Sequence, residues 1–261
     1  MLVQRLLVAA AGIPLLLLAA YFGGKWFLLL TGLLAVGGLK EYFYLLRQMG
    51  LKSPSAWAQL GSLGLLLIVY WKNEFPGSLV HFLVIGFLLV FVFTFPRYSL
   101  VEIGAGFLGL LYVTGSLSHL LLLRLVPDRG FSLVVYAFVL TWANDTGAYF
   151  AGRLWGRKRI YPLLSPGKTW EGAIGGLLAT LVVGLFIGSK LLPLGRPGLL
   201  VLPLLVALFA QLGDLIESGI KRLAQVKDSG RFLPGHGGIL DRFDSLLLVA
   251  PVVYYFWILL T

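Results

Sequence analysis

The chain has 261 residues, 59% hydrophobic and 12% charged, with a mean hydropathy of +0.92. Soluble domains lie nearer half apolar and a quarter charged, so this composition excludes an ordinary cytosolic enzyme, a disulfide scaffold and a disordered tail protein. The absence of cysteine removes thiol nucleophiles, thiolate zinc and iron–sulfur centres. The formal charge of +10 reads, in so apolar a chain, as a topology signal rather than a nucleic-acid footprint.

In chain order, apolar windows predict about nine helices, near residues 2–22, 25–46, 56–71, 79–95, 103–124, 131–151, 171–193, 198–222 and 243–261. Each approaches the roughly 20 residues that cross a hydrocarbon core about 30 Å thick. The expected fold is therefore all-α, a polytopic integral membrane protein. The first window holds only Arg5 as a basic residue and no small-residue cleavage site, so it reads as a retained span. Nine crossings place Arg5, Lys40, Arg47, Lys52, Arg97, Arg153, Arg157, Lys158, Arg159, Lys168, Lys221, Arg222, Lys227, Arg231 and Arg242 on the N-terminal side. Lys25, Lys72, Arg124, Arg129, Lys190 and Arg196 fall on the other. Fifteen against six puts the N-terminus, and the long polar segments 152–170 and 223–242, in the cytoplasm.

Acids are scarce and costly in lipid, so their placement carries information. Glu41, Glu74, Glu102 and Asp128 are scattered through the first half, where solvation at loop ends accounts for them. Asp145, Glu171, Asp214, Glu217, Asp228, Asp241 and Asp244 gather in the last 120 residues, near the expected cytoplasmic helix ends. Residues 1–130 are accordingly read as scaffold helices, and 131–261 as the catalytic region with its loops 152–170 and 223–242. No internal or inverted repeat is visible, which counts against common secondary-transporter folds.

In the eighth window, Asp214, Glu217, Ser218 and Lys221 stand at i, i+3, i+4 and i+7, on one helical face. Such a stripe faces a protein cavity or water rather than lipid. An internal Asp214–Lys221 pair is the plain structural alternative. The following segment adds Lys227, Asp228, Arg231, His236, Gly237, Gly238, Asp241, Arg242 and Asp244. Carboxylates from two helix ends across a Gly-rich loop make an all-oxygen environment of the kind Mg²⁺ takes. A lone histidine such as His236 is more often a structural hydrogen-bonder than a ligand. The glycines at 235, 237 and 238 permit close approaches, or simply a tight turn. Upstream, Asp145 is followed by Arg153, Arg157, Lys158, Arg159 and Lys168, cations suited to phosphates or anionic lipid heads. Arg157, Lys158 and Arg159 serve topology equally well. Lys168, fixed by Pro166 and Gly167 just before a helix start, is the better phosphate candidate.

Two other motifs do not hold. Gly167-Lys168-Thr169 ends like a phosphate-binding loop, but Pro162 stands where its first glycine belongs and no strand precedes it. Gly104-x-Gly106-x-x-Gly109 lies at the head of a span, where small residues serve helix packing.

The run Ser218-x2-Lys221-Arg222-x4-Lys227-Asp228-x-Gly230-x2-Leu233-Pro234-x-His236-Gly237-Gly238-Ile239-x-Asp241-Arg242-Phe243-Asp244 resembles the signature of the CDP-diacylglycerol synthases, or phosphatidate cytidylyltransferases. Asp145-Thr146-Gly147-Ala148-Tyr149, Ser165-Pro166-x-Lys168-Thr169-x-Glu171-Gly172 and Gly213-Asp214 resemble the same family, and the multi-span layout fits almost the whole chain. The resemblance implies that CTP and phosphatidate give CDP-diacylglycerol and pyrophosphate with Mg²⁺, the number of metals left open. It implies Asp214 and Asp241 as metal ligands, supported by Asp244 and Asp228. Lys221, Arg222, Lys227, Arg242 and Lys168 would meet phosphates. Asp145, Ser218, Arg231, His236, Gly237 and Gly238 would line the substrate sites. A homodimer in the cell membrane is implied as well, with the active site at the cytoplasmic ends of the C-terminal helices.

The chemistry agrees with that implication. The attacking phosphate is already anionic, so the obstacles are polyanion repulsion and charge on the departing pyrophosphate, which fixed cations and metal relieve. Two alternatives are carried forward: a CTP-dependent enzyme on another lipid acceptor, of the CDP-archaeol synthase or polyprenol kinase type, and an ion-coupled transporter. Acids clustered at helix ends beside basic loops favour phosphates over ion translocation.

Overall fold

A computed structural model describes residues 2–230 and 237–260. Its helices are α1 (Leu2–Phe22), α2 (Gly24–Gln48), α3 (Ser55–Lys72), α4 (Gly77–Thr94), α5 (Leu100–Leu125), α6 (Gly130–Trp155), α7 (Trp170–Leu191), α8 (Arg196–Leu223) and α9 (Leu240–Leu260). Each apolar window read from the sequence falls on one of them. Among the described residues the only extended pairing is an isolated antiparallel bridge between Arg159 and Thr169.

Six helices, α2, α4, α5, α7, α8 and α9, are long and apolar enough to cross a bilayer. Of α1, Ala10–Phe22 forms a shorter apolar stretch. The chain is thus an all-helical, multi-pass membrane protein. In α4 only Phe87 and Val90 are buried, while Phe82, Val92 and Phe93 stand exposed. A helix apolar on every side belongs in hydrocarbon.

The chain divides into two compact units. The first comprises the chain up to Leu125 together with Ile220–Arg242. The second comprises Val126–Gly219 and the chain from Phe243 onward. Both α8 and α9 therefore contribute to each.

The first unit is built on the inward faces of α2, α3 and α5, with Leu39, Phe43, Leu45, Leu65, Val69, Leu110 and Leu120 almost fully buried. The Ser99 hydroxyl and the Glu102 carboxylate cap α5 reciprocally, satisfying amides that a helix start leaves unpaired. Glu102 also accepts the Lys52 amide at 2.6 Å, tying the α2–α3 link to α5. Within α5, Leu110–Gly115 form a π-helical turn, where the buried Thr114 hydroxyl donates to Ser62 at 2.8 Å. Gly109 lets α5 lie against the Tyr42 ring, because a Cβ there would stand 2.2 Å from Cε1. Arg124 closes the unit by donating to the Ala20 and Tyr21 carbonyls of α1.

In the second unit α6 and α7 meet backbone to backbone along a seam of small residues. A Cβ on Gly175 would lie 2.1 Å from Ala151 Cβ, and one on Gly147 would lie 2.4 Å from Ala179 Cβ. Close approach through Gly and Ala is the common route to helix association in lipid, where apolar burial gives no advantage over lipid contact. Tyr136 Oη donates to the Gly184 carbonyl at 3.1 Å. Gln211 of α8 joins both helices, its amide nitrogen lying 3.1 Å from Asn144 Oδ1 and 3.0 Å from the Ala173 carbonyl.

Candidate functional site

In the second unit the segment 156–170 forms a tied loop. The amides of Arg157 and Lys158 donate to the Glu171 carboxylate at 3.1 and 3.3 Å. The Ile160 amide reaches the Lys168 carbonyl, and the Trp170 amide reaches the Lys158 carbonyl. Thr169 then caps α7, its hydroxyl accepting the Gly172 amide at 3.1 Å. Glu171 is therefore spent on loop structure. Arg153, Arg157, Lys158 and Arg159 are exposed.

This bracing delivers Lys168 into a cavity of about 240 Å³ lined by Asn144, Asp145, Tyr149, Lys168, Gln211 and Asp214 among others. Lys168 Nζ lies 2.8 Å from Asp214 Oδ2, and Ser218 Oγ lies 3.4 Å from Asp214 Oδ1. The Asn144 side chain is buried and 3.4 Å from Asp145 Oδ1. Gly213, beside Asp214, lies against the backbone of Asp244 and Ser245, where a Cβ would stand 2.5 Å from the Asp244 carbonyl oxygen. Asp145, Lys168, Asp214 and Ser218 are thus neighbours.

In the first unit Lys221 Nζ lies 2.7 Å from Asp241 Oδ1, both side chains largely buried. Asp241 Oδ2 accepts the Ser229 amide at 2.9 Å, the Ser229 hydroxyl at 2.9 Å and the Gly238 amide at 2.8 Å. Gly237 has φ of +81°, a left-handed conformation natural to glycine, and a Cβ there would meet Asp241 Oδ2 at 2.7 Å. Arg222, Lys227, Asp228 and Arg242 are exposed around this cluster. Arg231 and His236 lie outside the described residues.

One expectation is corrected. Glu41 is not a solvated loop-end acid: it is 7% exposed within α2 and accepts the amides of Ile239 and Leu240, with the Ser229 hydroxyl oxygen 3.1 Å away. The signal was available in the sequence, since an acid five residues inside the apolar window 25–46 needs a partner. Glu217, on the stripe of α8, is likewise buried at 1% exposure.

Each cluster thus presents a lysine held on a carboxylate, surrounded by further cations or amides. Among the described residues no three acids or histidines converge as a metal cage. Asp145 and Asp214 nevertheless give one cavity two carboxylates as hard oxygen donors. That suits Mg²⁺, which commonly takes one or two carboxylates and completes its shell with water and substrate phosphates.

The family model described as the cytidylyltransferase family matches residues 3–260. Similar proteins include the phosphatidate cytidylyltransferase of Staphylococcus saprophyticus, 36% identical over 95% of this chain and 96% of that protein. The Bacillus subtilis phosphatidate cytidylyltransferase is 36% identical over 86% of this chain and 87% of its own length. That of Brucella suis is 40% identical over 80% of this chain and 75% of its own. The chain belongs to the cytidylyltransferase family, and it is a nucleotidyltransferase.

Proposed function

We propose that this protein is a phosphatidate cytidylyltransferase, joining CTP and phosphatidate to give CDP-diacylglycerol and pyrophosphate. The observation that carries the reading is the pair of lysine–carboxylate contacts, Lys168–Asp214 and Lys221–Asp241, each formed by residues of the family's motifs. A phosphate oxygen of phosphatidate attacks the α-phosphorus of CTP, the bond from that phosphorus to the β-phosphate oxygen breaks, and pyrophosphate leaves with the electron pair. No proton need be removed from the nucleophile, so the residues act by charge and position.

Lys168 holds its charge at the cavity wall, ready to exchange Asp214 for a triphosphate oxygen. Ser218 steadies the Asp214 carboxylate. Asn144 and Gln211 fix the wall against which Asp145 is presented. In the first unit Lys221, Arg222, Lys227 and Arg242 offer cations to phosphate, and Asp228 limits where they settle. Arg231, His236, Gly237 and Gly238 complete the substrate-binding set implied by the resemblance.

Mg²⁺ would be held through Asp214, with Asp145 in support. The resemblance alone adds Asp241 and Asp244 as metal ligands. Bound there, the ion would neutralise phosphate charge and favour pyrophosphate as a leaving group. The reading extends to nine crossings, an N-terminus and active site facing the cytoplasm, a plasma-membrane location and a homodimer.

The test is purified protein in lipid bilayers with CTP and Mg²⁺, offered phosphatidate, a diether phosphate acceptor and a polyprenol in parallel. Pyrophosphate release with phosphatidate, lost on chelation, is the expected result. Turnover only with another acceptor would transfer the assignment to that lipid, and no turnover with any would remove it.

A further inference from the structure

Glu41 sits about 10 Å, at 1.5 Å per residue, inside the C-terminal end of α2. It comes from a helix that carries no motif residue, yet among the described residues its carboxylate bonds to the signature segment. Oε1 accepts the Ile239 amide at 2.8 Å, and Oε2 accepts the Leu240 amide at 2.9 Å and lies 3.1 Å from the Ser229 hydroxyl oxygen. Leu240 is the first residue of α9, so the carboxylate stands where a helix start leaves amides unpaired and favours negative charge.

Asp241 grips the same stretch through Ser229 and Gly238. The Ser229 hydroxyl lies within reach of both carboxylates but has one proton to give, so it couples the two. Two glycines make room for this. A Cβ on Gly230 would lie 2.6 Å from Glu41 Oε1, and one on Gly238 would lie 2.3 Å from both Glu41 Oε2 and Ser229 Oγ. These glycines are thus required for access by Glu41, which a tight turn alone does not explain.

We propose that Glu41 is a positioning residue for nucleotidyl transfer. It holds Ser229 and residues 238–240 in register, and through them sets Asp241 and the lysine paired with it. It does not touch substrate. The proposal rests on the cytidylyltransferase reading for its kinetic consequence, but not for its structural one.

Glu41→Gln preserves size while replacing one acceptor oxygen by an NH₂ that faces amide donors. Full-length protein in bilayers should show kcat/KM for CTP lowered about tenfold or more, the scale of a lost charged hydrogen bond. Hydrogen exchange should quicken at residues 229–230 and 237–240 while the cores of α3 and α5 exchange as before. Glu41→Asp, which keeps the charge with shorter reach, should recover part of the rate, and it carries the same comparison if the glutamine variant does not fold. Wild-type kinetics in Glu41→Gln would overturn the proposal. So would faster exchange spread evenly over α2, α3 and α5 with activity falling only in step with folded protein. If the unaltered protein turns over no CTP, the enzyme reading fails, and the exchange pattern alone still decides what Glu41 holds.

Discussion

Lys168 shows most directly how one residue joins local structure to chemistry. Pro166, Gly167 and the Thr169 cap fix its backbone, and its ammonium meets Asp214 at the cavity wall. Because the pair is partly open to water, it contributes little to stability. Lys168→Gln should therefore leave the thermal midpoint nearly unchanged while lowering kcat/KM for CTP about tenfold to a hundredfold. A large fall in midpoint with unchanged kinetics would make it a structural lysine instead. Lys168 was legible because motif, loop and helix start coincide in the sequence. Its partner was not: helical spacing suggested Lys221 for Asp214, whereas Lys168 approaches Asp214 from a segment 46 positions away. Periodicity ranks neighbours on one helix and is silent about partners brought by another. The partners of Glu41 were hidden for the same reason, lying 188 to 199 residues away.

For whole helices the sequence reads well, since a lipid-crossing segment must be long, apolar and hydrogen-bonded within itself. The windows at 25–46, 79–95 and 171–193 all fall on long apolar helices. The π turn at Leu110–Gly115 was hidden, because one extra residue in a turn barely disturbs an almost uniformly apolar pattern. The α6–α7 seam was half visible as glycines at 147, 172, 175 and 176, whose partner helix composition does not name. That seam makes a definite prediction. Gly175→Ala drives a Cβ to 2.1 Å from Ala151 Cβ and should cost about 1–3 kcal/mol through overpacking. Gly86→Ala in α4 meets nothing within 4 Å and should be neutral or stabilising by up to ~1 kcal/mol. Thermal unfolding of the two variants side by side checks this; equal midpoints would mean that α6 and α7 do not meet through their glycines.

Across the whole molecule, stretches far apart in the sequence share one compact unit. The segment Ile220–Arg242 packs with the helices of the first half, and Glu41 of α2 supplies its anchor. No local pattern announces such pairing, because it depends on which distant surfaces meet. Of the charge surplus that marks the chain at first sight, Lys168 and Lys221 are the two cations placed on carboxylates, Asp214 and Asp241. On the proposed function, the protein transfers a cytidylyl group to phosphatidate. Paired reactions with CTP labelled in its α- or its γ-phosphate, on phosphatidate in bilayers, test it most directly. The α-label should enter the lipid phase while the γ-label leaves entirely as pyrophosphate. Appearance of γ-label in lipid, with release of CDP, would contradict it and make the protein a kinase.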